Sequence, residues 1–411
     1  MTTATAGASR HRRAVSGRGV FVLDASILVA LLAASSAPTP LYPAYQEQWN
    51  LSALTVTLVF SAYALALLGA LLVTGRLSDH VGRRPVLVGA LALEAIAMAL
   101  FAGADGVGAL VSARIVQGLA TGMATSAAGA ALLDLDPAGR RGAALANSVS
   151  PVLGMAVGVL TATALVRFAP HPMVTVYVLL AAVFLAQAAA VARTPETARR
   201  RAGALRSLLP RLALPTTARR VLLVAGPGII AVWALGGFYS SLGPALTHTL
   251  APQAPQATGG LLFFALTASA AAATWLSRPV LPTTAAALGC CLLVPASGLS
   301  LLALHTHSLT ALFAGSALAG FGFGAVSQGV LRLLLHSPAP HLRGGVLASY
   351  YVLSYLSMSL PAIAAGILTD SLDLQVTARL YASSVAVLAI VAAGALWTRR
   401  RVLLTAEASS T

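Results

Sequence analysis

Residues 75–85 read Gly-Arg-Leu-Ser-Asp-His-Val-Gly-Arg-Arg-Pro, and they lie between two long apolar runs, 54–74 and 86–101. A segment with one aspartate and three arginines cannot lie in the hydrocarbon core of a bilayer, because charged groups there are costly and lack water. The pattern therefore predicts a tight, solvent-facing turn between two membrane-spanning helices.

The composition extends this interpretation to the whole chain. Of 411 residues, 58% are hydrophobic and only 9% are charged, whereas soluble proteins carry about 25% charged residues. The apolar runs have the length of about 20 residues that a helix needs to cross a bilayer, unlike the shorter alternating strands of a barrel. We predict an all-α integral membrane protein with twelve transmembrane helices and no room for a soluble catalytic domain.

The net charge of +15 does not indicate nucleic-acid binding. All 26 Lys-plus-Arg positions are arginine, and most of them lie in alternate loops or near the termini. This is the positive-inside distribution, which sets the orientation of a membrane protein. It predicts that both termini are cytoplasmic and that the protein spans the inner (plasma) membrane several times, with the lipid bilayer as its partner.

The predicted spans form two sets of six on either side of a basic segment. Residues 141–146 (RGAALA) follow span 4, and residues 343–348 (RGGVLA) follow span 10 in the same way. This repeat indicates two pseudo-symmetric six-helix bundles around a central site. The predicted order is an unstructured cytoplasmic N-terminal tail at 1–18, a first bundle at 19–192, a basic cytoplasmic linker at 193–220, a second bundle at 221–398 and a cytoplasmic C-terminal tail at 399–411.

Two local features are expected around the linker. Residues 205–214 have the composition of a short interfacial helix. Span 7 is expected to be broken at 226–228, which read Gly-Pro-Gly, and at the glycine pair 236–237.

The opening stretch resembles the conserved loop of the major facilitator superfamily of secondary transporters, G-x-L-[SA]-D-x-x-G-R-[RK]. Its defining positions are all present: Gly75, Leu77, Asp79, Gly82, Arg83 and Arg84. Any basic loop can carry three arginines, but seldom with glycine and aspartate at these offsets. The resemblance implies a conformational latch, in which Asp79 pairs with Arg83 and lies near the start of span 11 in the outward-facing state.

Three ionisable side chains within spans are candidates for proton coupling. Asp24 in span 1 lies in a sequence that resembles the acidic motif of multidrug antiporters, and burial would favour its neutral form. Arg114 begins a sequence that resembles the span-4 motif R-x-x-Q-G of proton-coupled members, and it needs a counter-ion. Glu94 is nearer to Arg114 in depth, whereas the superfamily's arrangement favours Asp24 as its partner. Either acid can instead be a structural residue.

Span 5 resembles the antiporter signature G-x3-G-P-x2-G-G imperfectly, because Ala146, Ser150 and Met155 replace three of its glycines. The residues expected to allow close helix packing or a kink are Gly118, Gly122, Pro151, Gly154 and Gly158. In span 5, the small residues and the kink at Pro151 suit an interface on which the two halves rock. A kinked packing helix in any transporter would look much the same, so the departures leave the direction of transport open.

The cavity is expected to be apolar and aromatic, with a few polar points. Its candidate lining residues are Gln117, Asn147, Trp233, Phe238, Tyr239, Phe321, Phe323 and Gln328. Such a lining suits amphipathic or cationic aromatic compounds, although most aromatic residues in membrane helices are packing residues. Tyr42, Tyr45 and Trp49, after span 1, are interpreted as an outer interfacial belt.

The sequence contains no nucleotide-binding loop, nucleophile elbow, zinc signature or pair of catalytic carboxylates, so we predict no enzyme activity, no cofactor and no metal. The resemblance to the superfamily implies a secondary transporter that works as a monomer, as its members usually do. The motif resemblances favour the drug:proton antiporter type, which exports small amphipathic compounds in exchange for protons. The alternatives are an importer, symporter or uniporter of a small metabolite, such as a sugar or an organic acid, and a membrane sensor that does not transport.

Overall fold

Twelve helices of the described part of the chain are long and apolar enough to cross a membrane. The computed structural model describes residues 3–136, 139, 142–198, 201–210, 212, 214–336 and 342–398, with the backbone alone for 3–16. The predicted C-terminal tail at 399–411 lies outside these residues. The prediction of an all-helical membrane protein with twelve spans is confirmed.

Span 1 lies within the helix Thr3–Ser36. Spans 2 to 12 are Ala53–Thr74, Arg83–Ala102, Val107–Asp134, Ala143–Phe168, Pro172–Ala192, Thr216–Ser241, Ala257–Leu276, Pro282–Thr306, Leu309–His336, Arg343–Ser371 and Leu374–Thr398. Shorter helices are Thr39–Leu41, Tyr42–Trp49, Ser78–Val81, Ala204–Ser207 and Gly243–Leu250.

The chain alternates between the two ends of the bundle. One end, here called the linker face, carries the loop 75–82 and the linker residues 193–198 and 201–210. The opposite end, the far face, carries the short helices Tyr42–Trp49 and Gly243–Leu250. Odd-numbered spans therefore run from the linker face to the far face, and even-numbered spans run back.

The buried apolar residues form two main clusters. The first comes from spans 1 to 6 and takes in Ala362, whereas the second comes from spans 7 to 12 and takes in Val159. Between these two halves, span 2 packs on span 11 and span 5 packs on span 8. Small residues allow this approach: a Cβ on Gly366 would lie 2.8 Å from the Cα of Leu54.

Three local expectations are wrong in the structure. The N-terminal tail is helical from Thr3, not unstructured. Span 7 is one continuous helix with Pro227 inside it, because a membrane helix keeps its remaining backbone hydrogen bonds around a proline. In the linker, the helix is only Ala204–Ser207, since Pro210 has no N–H with which to extend it to 214.

Candidate functional site

A cavity of about 1370 Å³, its open part included, lies between the two halves. Its walls come from spans 1, 2, 4, 5, 7, 8, 10 and 11. The aromatic residues in these walls are Phe60, Tyr63, Trp233, Phe263, Phe323, Tyr350, Tyr351 and Tyr355. The described lining residues include no Asp, Glu, His, Lys or Arg. The site is therefore an uncharged aromatic chamber.

Trp233 is the centre of the aromatic wall. Its ring lies 5.5 Å from that of Phe323 on span 10 and 5.3 Å from that of Tyr355 on span 11, both in tilted arrangements. Tilted ring pairs at this separation are favourable, because the edge of one ring meets the face of another. The three helices thus present a preformed aromatic corner.

Several buried polar atoms in the lining form no hydrogen bond of good geometry within the described residues. They are the hydroxyl oxygens of Tyr63, Thr125 and Ser327 and the indole Nε1 of Trp233. The last two lie beside the hydroxyl of Tyr350 without good alignment. A buried polar group without a partner costs about 1–3 kcal/mol, so these atoms favour a ligand or water that bonds to them.

The cavity is closed toward the far face. Thr39 Oγ1 lies 3.1 Å from Ser240 Oγ, and Gln256 Nε2 donates to Glu47 Oε1 at 3.2 Å. Hydrogen bonds between described residues of the two halves all lie in the far-face half of the bundle. In the other direction, the lining reaches Leu71, one turn from the end of span 2 at the linker face.

The loop 75–82 is fixed by contacts within the first half and with the linker. Asp79 forms an ion pair with Arg83, whose Nε also donates to Asp134 Oδ2 at 3.1 Å. The backbone N–H groups of Arg83 and Arg84 donate to the carboxylate of Glu196 at 2.8 and 3.2 Å. Glu196 thereby caps the first turn of span 3, whose free N–H groups and dipole favour an anion.

Gly82 is required where this loop turns into span 3. Its φ of +112° lies in the left-handed region, and a Cβ there would meet the Glu196 carboxylate. Among the described residues, Asp79 makes no hydrogen bond or ion pair with the start of span 11 in this conformation, although that contact was expected. A Cβ on Gly344, in the first turn of span 11, would have no atom within 4 Å.

Arg114 is completely buried, and it makes no ion pair with a described carboxylate. Its Nη1 donates to the carbonyl oxygen of Ser35 at 3.1 Å and to Gln117 Oε1 at 2.9 Å, and its Nη2 donates to the Tyr42 hydroxyl at 2.6 Å. Three rings lie 5.4–5.9 Å from its guanidinium carbon: Tyr42, Tyr63 and Phe101. These acceptors and rings stand in place of a counter-ion.

The structure does not bring Asp24 and Arg114 together. Asp24 precedes Ser35 by eleven residues, which is about 16 Å along the helix. Asp24 is 3% exposed, lies outside the cavity lining and has no hydrogen-bond partner among the described residues. The favoured pairing of Asp24 with Arg114 is therefore absent from this conformation.

Glu94 lies much nearer to the cavity than its position in span 3 suggested. It is completely buried, and Thr121 Oγ1 donates to Glu94 Oε1 at 2.5 Å, while Oε2 has no partner among the described residues. Thr121 itself lines the cavity, and Arg114 interacts electrostatically with Glu94. Glu94 is thus connected to the chamber through its hydrogen bond with Thr121, although Glu94 itself does not line it.

Half of the predicted lining residues lie in the cavity wall. Asn147, Trp233, Phe323 and Gln328 line it, and the Nδ2 of Asn147 donates to the carbonyl oxygen of Gly129 at 3.1 Å. The other four predicted lining residues, Gln117, Phe238, Tyr239 and Phe321, do not line it.

Helix rotation explains three of these four misplacements, and a hydrogen bond explains the fourth. Successive residues are turned by about 100°, so Phe321 lies opposite Phe323 on span 10. Phe238 and Tyr239 are turned away from Trp233 for the same reason, and Tyr239 bonds Ser300 within the second half at 3.0 Å. Gln117 is held behind the wall by Arg114.

The small residues of spans 4 and 5 pack within the first half. This is the close packing expected of span 4, whereas the small residues of span 5 were expected between the halves. A Cβ on Gly118 or Gly122 would meet the Cβ of Ala66 or Ala70 on span 2, at 2.8 and 2.6 Å. Gly154 and Gly158 lie against span 1, at Val29 and Ala33. Pro151 lies within the helix and lines the cavity.

Sequence reasoning missed the tyrosines of the site. Tyr63 on span 2 and three residues of span 11, Tyr350, Tyr351 and Tyr355, line the cavity. Their signal was a polar hydroxyl inside an otherwise apolar run. The belt interpretation was wrong for Tyr42 and Tyr45, which are each 2% exposed. Tyr42 bonds Arg114, and Tyr45 bonds Tyr177 at 2.9 Å and stacks on Trp49.

The chain matches the Major Facilitator Superfamily over residues 25–362. It therefore belongs to this superfamily of transporters, which makes it a multi-pass membrane transporter and not an enzyme. It is 33% identical over 124 residues to an uncharacterised MFS-type transporter of Mycobacterium tuberculosis, Rv1250. That match covers 28% of this chain and only 21% of the relative.

Several solved transporters share the fold. The human organic anion transporter MFSD10 (TETRAN) is 21% identical with a TM-score of 0.66, over 92% of this chain and 99% of that one. The nucleoside transporter NupG, as a point mutant, is 12% identical with a TM-score of 0.69, over 91% and 98%. A bacterial homolog of the human lysosomal transporter Spinster, inward-facing and occupied, is 12% identical with a TM-score of 0.71, over 95% and 98%. At these identities the likeness concerns the fold alone.

Proposed function

We propose that this protein is a proton-coupled antiporter that exports small amphipathic compounds by alternating access, acting as a monomer in the plasma membrane. The observation that carries the proposal is the uncharged aromatic chamber between the halves, closed at the far face. In this conformation a compound enters from the linker face. Rocking of the halves then exposes it at the far face.

The arginines support the assignment of the linker face to the cytoplasm. Arg76, Arg83, Arg84, Arg193 and Arg206 all lie at this face, in the connections between spans or at the adjoining helix ends. Basic residues in and beside short loops are retained on the cytoplasmic side during insertion. Under this orientation the structure is inward-facing and both termini are cytoplasmic.

The lining favours neutral compounds, or cations whose charge is delocalised, over compact ions. A carboxylate or ammonium group would enter a chamber whose described lining offers no ionised partner, and burying an unpaired charge is costly. The rings around Trp233 offer stacking. The hydroxyls of Tyr63, Thr125 and Ser327, which form no hydrogen bond of good geometry with described residues, offer a few hydrogen bonds. A sugar would need more polar partners than these.

The contact between Glu94 and Thr121 supports Glu94 as the coupling carboxylate, ahead of Asp24. A ligand that displaces or bonds Thr121 changes the only hydrogen bond that Glu94 makes with a described residue. Binding in the chamber and protonation of Glu94 are thus linked through one side chain. Arg114, with its charge nearby, would set how readily Glu94 ionises.

The test is the accumulation of lipophilic dyes in efflux-deficient bacterial cells. The arms are the wild type, Glu94→Gln, Asp24→Asn and the wild type with a protonophore. We expect lower accumulation in wild-type cells, abolished by the protonophore and by Glu94→Gln but retained in Asp24→Asn. Loss in Asp24→Asn alone would return the proton site to span 1, whereas no effect of the protonophore would refute proton coupling.

A matched pair of dyes tests the substrate class. One member is neutral, and the other is an analogue of the same size with a quaternary ammonium group. We expect the neutral dye to be exported at least about tenfold more efficiently, because an unpaired buried charge is costly. Equal or better export of the localised cation would refute the argument from the uncharged lining.

A further inference from the structure

We infer that Asp370, in the last turn of span 11, is a far-face latch that holds the protein in the conformation described above. The inference rests on the alternating access of the proposed function, but not on its substrate or coupling ion. Asp370 would thus do at the far face what the Asp79 loop is expected to do at the linker face, which is to hold that face closed.

The carboxylate of Asp370 reaches across from the second half to the first turn of span 2. The N–H of Ala53 donates to its Oδ1 at 3.1 Å, and the N–H of Leu54 donates to its Oδ2 at 3.4 Å. These are the first two N–H groups of the helix, which have no partner within it. Ser52 bonds the N–H of Thr55 in the same turn, at 3.2 Å. Two residues therefore cap the first turn of span 2. Ser52, from the same chain segment, accepts from Thr55, and Asp370, from the other half, accepts from Ala53 and Leu54.

A local role does not explain an aspartate at this position. Asp370 lies at the C-terminal end of its own helix, where the helix dipole disfavours a negative charge. The favourable interaction is with the N-terminal end of span 2, because the dipole of that helix is positive there and attracts the carboxylate. The acid stabilises the fold only while the two spans stay together at the far face.

The close approach of spans 2 and 11 is itself specified by the sequence. Gly366 precedes Asp370 by four residues and therefore lies on the same side of span 11. A Cβ at Gly366 would lie 2.8 Å from the Cα of Leu54 and 3.3 Å from the carbonyl oxygen of Ala53. Glycine one turn before the acid lets the backbones approach closely enough for the carboxylate to reach its donors.

Spans 2 and 11 are joined by a capping contact at the far face but not by the expected Asp79 contact at the linker face. Spans 2 and 11 are antiparallel, so at each face the end of one lies toward the start of the other. At the far face Asp370 caps span 2, whereas at the linker face Asp79 binds Arg83 and a Cβ on Gly344 would meet nothing within 4 Å. Rocking that separates the far ends would break the Asp370 contact as it brings the linker ends together. The two caps would therefore alternate.

The test measures which face is open, by the rate at which reporter cysteines are labelled. Both native cysteines are first replaced, as Cys290→Ala and Cys291→Ala. Ser240→Cys reports on the far face, because Ser240 is 4% exposed and bonds Thr39 across the closed end. Ser148→Cys reports on the cavity near the linker face. Labelling uses a membrane-impermeant maleimide on purified protein in lipid nanodiscs, without substrate or proton gradient.

The matched variants are Asp370→Ala and Asp373→Ala. Asp373 is also exposed, but it bonds the N–H of Val376 at 2.7 Å within its own half. We expect Asp370→Ala to speed labelling of the Ser240→Cys reporter about threefold to tenfold and to slow labelling of the Ser148→Cys reporter, since losing a capping residue shifts an equilibrium by about this factor. Asp373→Ala should leave both rates within about twofold of the unsubstituted values, since its hydrogen bond is local.

Three outcomes would overturn the inference. Unchanged labelling in Asp370→Ala would show that the contact does not bias the equilibrium. A similar effect of Asp373→Ala would indicate a general effect of lost surface charge. Faster labelling of both reporters would indicate loosening or unfolding, because a two-state latch must move the two rates in opposite directions. Dye export that failed in cells while this pattern held would refute the proposed substrate or coupling, but not the latch.

Discussion

Replacing Arg114 with lysine tests whether this residue is held by its geometry or only by its charge. The guanidinium uses two nitrogens in different directions, Nη1 toward Ser35 and Gln117 and Nη2 toward the Tyr42 hydroxyl. The ammonium group of lysine carries the same charge at a single point. It can remain near Ser35 and Gln117, but it cannot also reach Tyr42.

The expected cost follows from the interactions that lysine cannot make. One hydrogen bond from a charged donor contributes about 1.5–3 kcal/mol. The guanidinium carbon also lies 5.4–5.9 Å from three ring centroids, and weakening these interactions adds about 0.5–1 kcal/mol. The total is about 2–4 kcal/mol. With an unfolding entropy of about 2.1 cal/mol/K per residue over 411 residues, Arg114→Lys should lower Tm by about 2–5 °C.

The assay is thermal unfolding of purified protein in detergent, followed by tryptophan fluorescence. The control is Arg167→Lys, an exposed arginine near the end of span 5, which should change Tm by less than about 1 °C. Tyr42→Phe removes only the hydroxyl acceptor, so its effect and that of Arg114→Lys should be less than additive in the double variant. A Tm for Arg114→Lys equal to that of the control, or full additivity with Tyr42→Phe, would refute the reasoning.

Three further predictions concern helix packing, the linker and the cavity. Gly122→Ala should lower stability by about 1–3 kcal/mol, because its Cβ would lie 2.6 Å from that of Ala70, whereas Gly108→Ala, which meets nothing within 4 Å, should not; equal Tm values for the two variants would contradict this. Glu196→Gln should weaken the cap of span 3 by about 0.5–2 kcal/mol, so trypsin should cleave the linker several times faster than in the wild type. Unchanged cleavage would mean that the carboxylate does not hold the linker. Trp233→Ala should raise the KM for dye export about twofold to tenfold by removing two ring contacts, while Trp397→Ala, at an exposed tryptophan outside the cavity lining, should not. A similar change in both variants would argue against a role for Trp233 in binding.

The twelve spans could be predicted from hydropathy and charge, because a bilayer permits very few backbone structures. A run of about 20 apolar residues must satisfy its backbone internally, so it becomes a helix wherever it lies. Charged loops must remain in water, so the stretch 75–85 marked a turn. Errors arose where these constraints are weak: the N-terminal tail, the linker around Pro210, and the glycine and proline positions inside span 7.

The site was harder to predict, because it depends on helix rotation and on pairs of residues far apart in sequence. A membrane helix is apolar on all sides, so its composition does not show which side meets lipid, which meets another helix and which meets the cavity. The sequence therefore pointed to Phe321 and Phe323 together, although a rotation of about 200° puts only Phe323 in the wall. Likewise, no local pattern around Arg114 indicates that Tyr42 is its partner.

The sequence alone determined the membrane class, the number of spans and the resemblance of the loop 75–85 to its superfamily, since each depends on residues that are neighbours in the chain. Tertiary structure alone decided which side chains face the cavity, that Glu94 rather than Asp24 adjoins it, and that Asp370 caps span 2. These facts depend on how separate helices are rotated and packed against one another. In a membrane, small residues and rare polar contacts set that packing, because hydrophobicity does not distinguish a neighbouring helix from lipid.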